Sequence, residues 1–221
     1  MRFAYSKSGE RIHIDDYDTS TRPPVYCANG HLLVGRKGDI RAHHYAHKPG
    51  TTCTCGTNKG EWHIAWQDRA QHQVQEIRCK IGSTLHIADI MIPSPKPLVI
   101  EIQHSPMDGK TMRARETFYT EKMKAKLVWV FDTRSWEYKV VRRDGHMITI
   151  RRRSGRTFPL LAKYTGDVTV ILDFNKKDLL KVTSIKGSTI TGTIMTMKQF
   201  DDEYLGTYST GSDYRTFYHH I

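Results

Sequence analysis

Residues 85–105 constrain the fold more than any other part of this chain. They read Leu-His-Ile-Ala-Asp89-Ile-Met-Ile, pass through Pro93, Pro95 and Pro97, and resume as Leu-Val-Ile-Glu101-Ile-Gln103-His-Ser. Two apolar, β-branched runs joined by a proline-rich connection predict adjacent buried strands of a hairpin. Buried strands are apolar, so an ionisable side chain in each one needs a reason. On such a hairpin Asp89 and Glu101 lie close together. Strand alternation turns Glu101 and Gln103 one way while Ile100 and Ile102 face the core. Two neighbouring carboxylates repel each other and cost desolvation, and a divalent cation between them relieves both penalties. The competing reading is structural: Asp89 bonds a loop at a strand end, and Glu101 pairs with an arginine such as Arg113.

The flanking chain bears on that choice. From Glu61 to about Ile77 the residues Trp66, Ala70, Val74 and Ile77 recur at helical spacing, which predicts one helix with Glu61 in its first turn. A negative charge is favoured there by the helix N-terminus, so Glu61 has a structural reading of its own. A first strand near residues 76–80, a second helix over 110–124 and a buried strand over 126–132 complete the order helix, three strands, helix, strand.

That order, with Asp-x(n)-Glu-x-Gln, resembles the PD-(D/E)XK nuclease core, and more narrowly the competence protein CoiA-like nucleases. The blocks that carry the resemblance are Tyr26-Cys27, His44-Tyr45-Ala46-His47, Glu61-Trp62-His63 with Trp66, Ala88-Asp89, Val99 through Ser105, Tyr119 and Leu127 through Asp132. They cover roughly residues 1–135. The resemblance implies a mixed α/β (α+β), restriction-endonuclease-like core. It also implies that Asp89 and Glu101 hold Mg²⁺ (or Mn²⁺), with Glu61 joining or supporting them. Such a metal lowers the pKa of a bound water and stabilises charge on the phosphate under attack. The lysine that usually closes the motif is Gln103 here, which can orient a water but brings no positive charge. His63, His104 and Ser105 flank the acids as substrate contacts, and His63, His104 and Lys80 are alternative bases.

A second cluster is N-terminal. Cys27, His31, His43, His44, His47, Cys53 and Cys55 crowd into a Gly-rich segment with few large apolar residues, where a metal can do what a core cannot. Cys/His spacing of this kind predicts a small tetrahedral zinc knuckle, with Cys27, His44, His47 and Cys53 as the preferred set and His31 or Cys55 as substitutes. The alternative is a loop of scattered histidines and reduced cysteines.

The formal net charge of +11 suits a polyanionic partner. Its excess gathers at Lys139, Arg142, Arg143, Arg151, Arg152, Arg153 and Arg156, on two strand-like runs joined by Asp144-Gly145, a hairpin signal. These cations read as a ribbon that contacts phosphates without reading sequence, or as a charged sheet edge guarded against aggregation. Further strands are predicted over 168–174, 179–185 and 189–195, as a separate module or as an extension of the sheet, followed by a short helix through Phe200 and Tyr204. Four cysteines clustered with histidines argue for a reducing compartment, no apolar run has transmembrane length, and the first residues are not a signal peptide. The expectation is therefore a cytoplasmic protein in three parts. Residues 1–58 form the Cys/His module, 59–134 the nuclease-like core and 135–221 a basic β-rich module. The predicted activity is Mg²⁺-dependent hydrolysis of DNA. The alternatives are a DNA-binding accessory protein that uses this fold without cleavage, and a zinc-dependent adaptor.

Overall fold

The computed structural model describes residues 1–39, 43–53, 59–153, 167–174 and 178–211. The chain divides into two compact units, Met1–Ile64 and Ala65–Ile221. Helix content is low, and two sheets carry the architecture.

The first unit is a five-stranded antiparallel sheet. Its strands are β1 (Phe3–Tyr5), β2 (Arg11–His13), β3 (Val25–Tyr26), β4 (Leu32–Arg36) and β5 (His44–His47), in the order β2-β1-β3-β4-β5. Its apolar cluster is small: Ala4, Ile14, Tyr17, Val25, Cys27, Leu33 and Tyr45.

Helix α1 (Glu61–Gln67) spans the boundary between the units. It is shorter than its periodicity predicts. After one turn at His72–Val74 the chain is already strand, because Gln75, fully buried, donates its side-chain amide to the carbonyls of Gln67 and Ala70. Those bonds satisfy carbonyls at the helix end that a further turn would otherwise need.

The second unit holds β6 (Gln75–Ile81), β7 (Thr84–Ile92), β8 (Leu98–Gln103), α2 (Gly109–Glu116, continued by a wider turn at Thr117–Lys122) and β9 (Lys126–Asp132). The hairpin of β10 (Tyr138–Asp144) and β11 (Met147–Arg152) follows. Then come β12 (Val168–Asp173), β13 (Asp178–Lys186), β14 (Thr189–Thr196) and α3 (Met197–Phe200), which winds on through Leu205. Thr196 and Gln199 form a reciprocal capping box that starts α3. The order of the nine-stranded sheet is β10-β11-β14-β13-β12-β9-β8-β7-β6. β6, β7 and β8 form a meander, while β9 runs parallel to both β8 and β12. The strands after residue 135 therefore extend the sheet of the core.

Both faces of the central strands are covered. One presents Val99, Leu127, Trp129, Phe131, Val170 and Leu172 to Met112, Phe118 and Tyr119 of α2 and its continuation. The other carries Ile100, Ile102, Val128, Val130 and Ile171, all buried, with Trp66 packed edge-on against Phe200 and bonded to Asp173. This is why β8 and β9 read as continuous apolar runs. Gly192 in β14 is required by close packing, since a Cβ there would collide with the Lys181 carbonyl and the Leu180 side chain.

Candidate metal centres and nucleic-acid interface

Asp89 and Glu101 come together as the hairpin predicts. The β7–β8 ladder runs from Ile92↔Leu98 to Ile90↔Ile100 and stops there. At that fork Asp89 Oδ2 accepts the Ile102 backbone N–H at 2.9 Å, and the Asp89 carbonyl is held by the Gln67 amide at 3.1 Å. Glu101 does not face solvent; it is 1% exposed, on the face that α2 covers. Tyr119 donates to its Oε1 at 2.7 Å, and Arg115 Nη1 lies 2.5 Å from its Oε2. Burial, with the Asp89 charge behind it, pushes the Glu101 carboxyl well above the usual carboxylate range, against the opposing pull of Arg115 and Tyr119. Burial acts to lower Arg115, yet Glu101 and Asp89 outweigh it and hold its pKa above the ordinary value.

The arginine on Glu101 is thus Arg115 and not Arg113. Met112, Arg115 and Tyr119 stand at i, i+3 and i+7, so one face of the helical segment carries all three toward the sheet. That spacing was the available signal for Arg115. Gln67 had no comparable signal, because its role depends on where α1 ends.

Gln103 donates its amide to the Ser105 carbonyl. His104, exposed, lies with Nδ1 2.6 Å from Asp132, which also takes a two-pronged bond from Arg134. Burial acts to raise the Asp132 carboxyl, but Arg134 and His104 outweigh it and hold the group below its ordinary value. Ser105 is exposed. Glu61, exposed, is the first residue of α1 and, with half-buried His63, belongs to the first unit, whereas Asp89 and Glu101 belong to the second.

The N-terminal cluster forms with one change of member. Cys27, His31, His47 and Cys53 bring one ligand atom each to within 4.8 Å of one another. Cys27 Sγ lies 3.5 Å from His31 Nδ1 and 3.8 Å from Cys53 Sγ, and the backbone N–H groups of Asn29 and His31 both point at Cys27 Sγ. His31 takes the place expected for His44. On β5, Tyr45 is buried in the core, so His47 shares its side and His44 faces the other way. Residues three apart on a strand cannot both enter one site. Cys55 lies outside the described residues. Two thiols and two imidazoles are a donor set that fits a tetrahedral ion such as zinc.

The basic hairpin is present. Lys139, Arg142, Arg143, Arg151 and Arg153 are exposed on or beside it, and β10 is an edge strand. Arg152 departs from the prediction: it alternates to the other face, where its guanidinium stacks 3.9 Å over the Trp136 ring. Arg156 lies outside the described residues.

No family model, curated protein or solved structure matches this chain. No helix among the described residues is long and apolar enough to cross a membrane.

Proposed function

We propose that the second unit is a metal-dependent nuclease of the PD-(D/E)XK type, akin to the CoiA-like proteins, that hydrolyses phosphodiester bonds of DNA. The observation that carries this reading is the pair of buried carboxylates, Asp89 and Glu101, placed at a fork between two strands with their charges opposed. Such a pair costs stability and is the donor set of a hard divalent cation. Asp89 and Glu101 would hold Mg²⁺ or Mn²⁺, which supplies charge neutralisation and an acidified water. The chain's own residues do the rest. Tyr119 and Arg115 fix the Glu101 carboxylate, and Gln67 and the Ile102 amide fix Asp89. Gln103 orients the attacking water, and Arg115 brings to the site the positive charge that Gln103 lacks. The hairpin arginines hold the strand by its phosphates, and a zinc ion on Cys27, His31, His47 and Cys53 organises the first unit.

A second reading has an observation in its favour. Both Glu101 oxygens already have protein partners and Gln103 is neutral, as suits a DNA-binding accessory protein that does not cut. The two readings separate in a cleavage assay on plasmid, linear and single-stranded DNA with Mg²⁺, Mn²⁺ or EDTA, with binding measured alongside. Metal-dependent cutting should fall at least a hundredfold in Asp89→Ala and Glu101→Ala while binding survives, since the metal supplies several kcal/mol of charge stabilisation. Tight binding by the wild type without cutting under any metal establishes the accessory role.

A further inference from the structure

The helical segment that delivers Arg115 to Glu101 carries a second set of cations on its neighbouring face. Lys110, Arg113 and Thr117 of this segment, with Lys122 at its end, line a cavity of about 450 Å³ whose opposite wall is Thr84 and His86 of β7. The lining contains no carboxylate. Among the described residues, none of Lys110, Arg113 and Lys122 makes an ion pair. Two other cavities of this unit are different, since Asp202 and Glu203 line both. The His86 ring is fixed, packed edge-on against Phe118 at 4.5 Å. Burial first, then the charges of Arg115 and Lys122, holds His86 below its ordinary pKa, and Arg113 lies near enough to Glu116, outside the lining, to act against the rise that burial gives that carboxyl.

We infer that this pocket binds a phosphate of the nucleic-acid strand beside the one that reaches Asp89 and Glu101. Three cations and two hydroxyl donors, with no acid among them, match a phosphate's oxygens and charge. A base edge carries no net charge to pair with three cations, whereas a phosphate does. The location favours a strand over a free anion, because Arg115, two residues from Arg113, holds Glu101, and the His86 ring of the pocket wall lies 6.0 Å from the ring of Tyr119, which bonds Glu101 as well. One segment thereby meets two phosphates: Arg115 on the scissile side, and Lys110, Arg113 and Lys122 on the next. The inference rests on the nuclease reading for the position of the scissile phosphate. The phosphate in the pocket is either an internal diester or a terminal 5′-phosphate.

The test measures binding of the full-length protein in EDTA to three single-stranded DNAs: a linear strand with a 5′-phosphate, the same strand with a 5′-hydroxyl, and a circle. Arg113→Gln with Lys122→Gln removes two exposed charges, and Lys110→Gln provides a second, independent variant. Arg113→Lys keeps the charge, and Lys7→Gln with Lys48→Gln, on the first unit, controls for loss of net charge. The pocket pair should weaken binding at least tenfold at low salt and reduce the salt slope by about 0.7 per cation removed. Arg113→Lys and the control pair should stay within about threefold of wild type. A loss confined to the 5′-phosphorylated strand assigns the pocket to a terminal phosphate, and a loss on the circle as well assigns it to an internal one. Unchanged affinity and slope, or an equal loss in the control pair, overturns the pocket. A protein that binds through the pocket but never cuts overturns the nuclease reading alone, and a wild type that binds none of the strands overturns the pocket alone, the nuclease reading being decided by cleavage of plasmid and linear DNA with metal.

Discussion

Glu101 is the residue at which function and stability pull apart. Its carboxylate is buried and faces the Asp89 charge, and one arginine and one tyrosine only partly offset the cost. A carboxylate kept in this position for metal should make the metal-free protein less stable than a neutral isostere does. Glu101→Gln keeps the shape and an acceptor for Tyr119 while removing the repulsion. We therefore expect the metal-free variant to melt higher than wild type at pH 8, by about 2–4 °C for each kcal/mol recovered. We also expect Mg²⁺ or Mn²⁺ to stabilise wild type but not the variant. A lower melting temperature in the variant would mean that the Arg115–Glu101 pair is a structural support, and the metal reading would lose its energetic basis. The juxtaposition of Asp89 with Glu101 was legible because the parity of a short hairpin leaves little freedom. The partner of Glu101 was less so, because a two-residue error in helix phase exchanges Arg113 for Arg115.

At the scale of elements, the turn after β3 shows how local geometry builds a ligand set. Gly30 adopts φ +81° and donates its N–H to the Cys27 carbonyl, which folds the chain tightly enough to bring His31 back beside Cys27 Sγ. A side chain at position 30 would be strained in that conformation, and the residue after it, His31, supplies the ligand. β5 contributes one histidine because its side chains alternate, and His44 is on the wrong side. His31→Ala and His47→Ala should therefore each lower the zinc bound per chain and the melting temperature of the first unit, while His44→Ala should change neither. Zinc content by atomic absorption and protection of the Cys27 and Cys53 thiols are the readouts. Retention of full zinc by His31→Ala would return the site to the His44 set. Strand alternation was available in the sequence to exclude His44. The end of α1 was not, since the apolar spacing of Ala70, Val74 and Ile77 mimics a helix and only the Gln75 amide, folded back on Gln67 and Ala70, shows why it stops.

At the scale of the whole molecule, β12, β13 and β14 read correctly as strands, but the sequence left open whether they form a separate module or extend the core sheet, as they do. β12 pairs in parallel with β9 and β14 takes β11 as its neighbour, and such pairings between distant segments leave no local mark. The segment after α3 is tied in as firmly, with Asp201 buried against Arg69 and the chain at Tyr208–Thr210 bonded to residues 68–71. Each unit closes its core around tyrosines whose ionisation the fold resists. Burial pushes Tyr204 up to about 12, and burial first, with nearby negative charge, pushes Tyr45 and Tyr119 higher still. A raised pKa on an acid means that the folded state favours the neutral phenol. The stabilisation is therefore complete below the ordinary phenol value near 10 and is lost as pH climbs through the folded value. In an alkaline titration followed at 295 nm, exposed tyrosines should ionise reversibly near pH 10 with the circular dichroism unchanged. A second group should ionise only above about pH 12, together with loss of the sheet signal. Tyr204→Phe should delay the collapse of the second unit and leave that of the first where it was. If all tyrosines titrate near pH 10 while the sheet signal persists, these rings are not sealed in the cores, and the packing that holds Tyr119 against Glu101 fails with them.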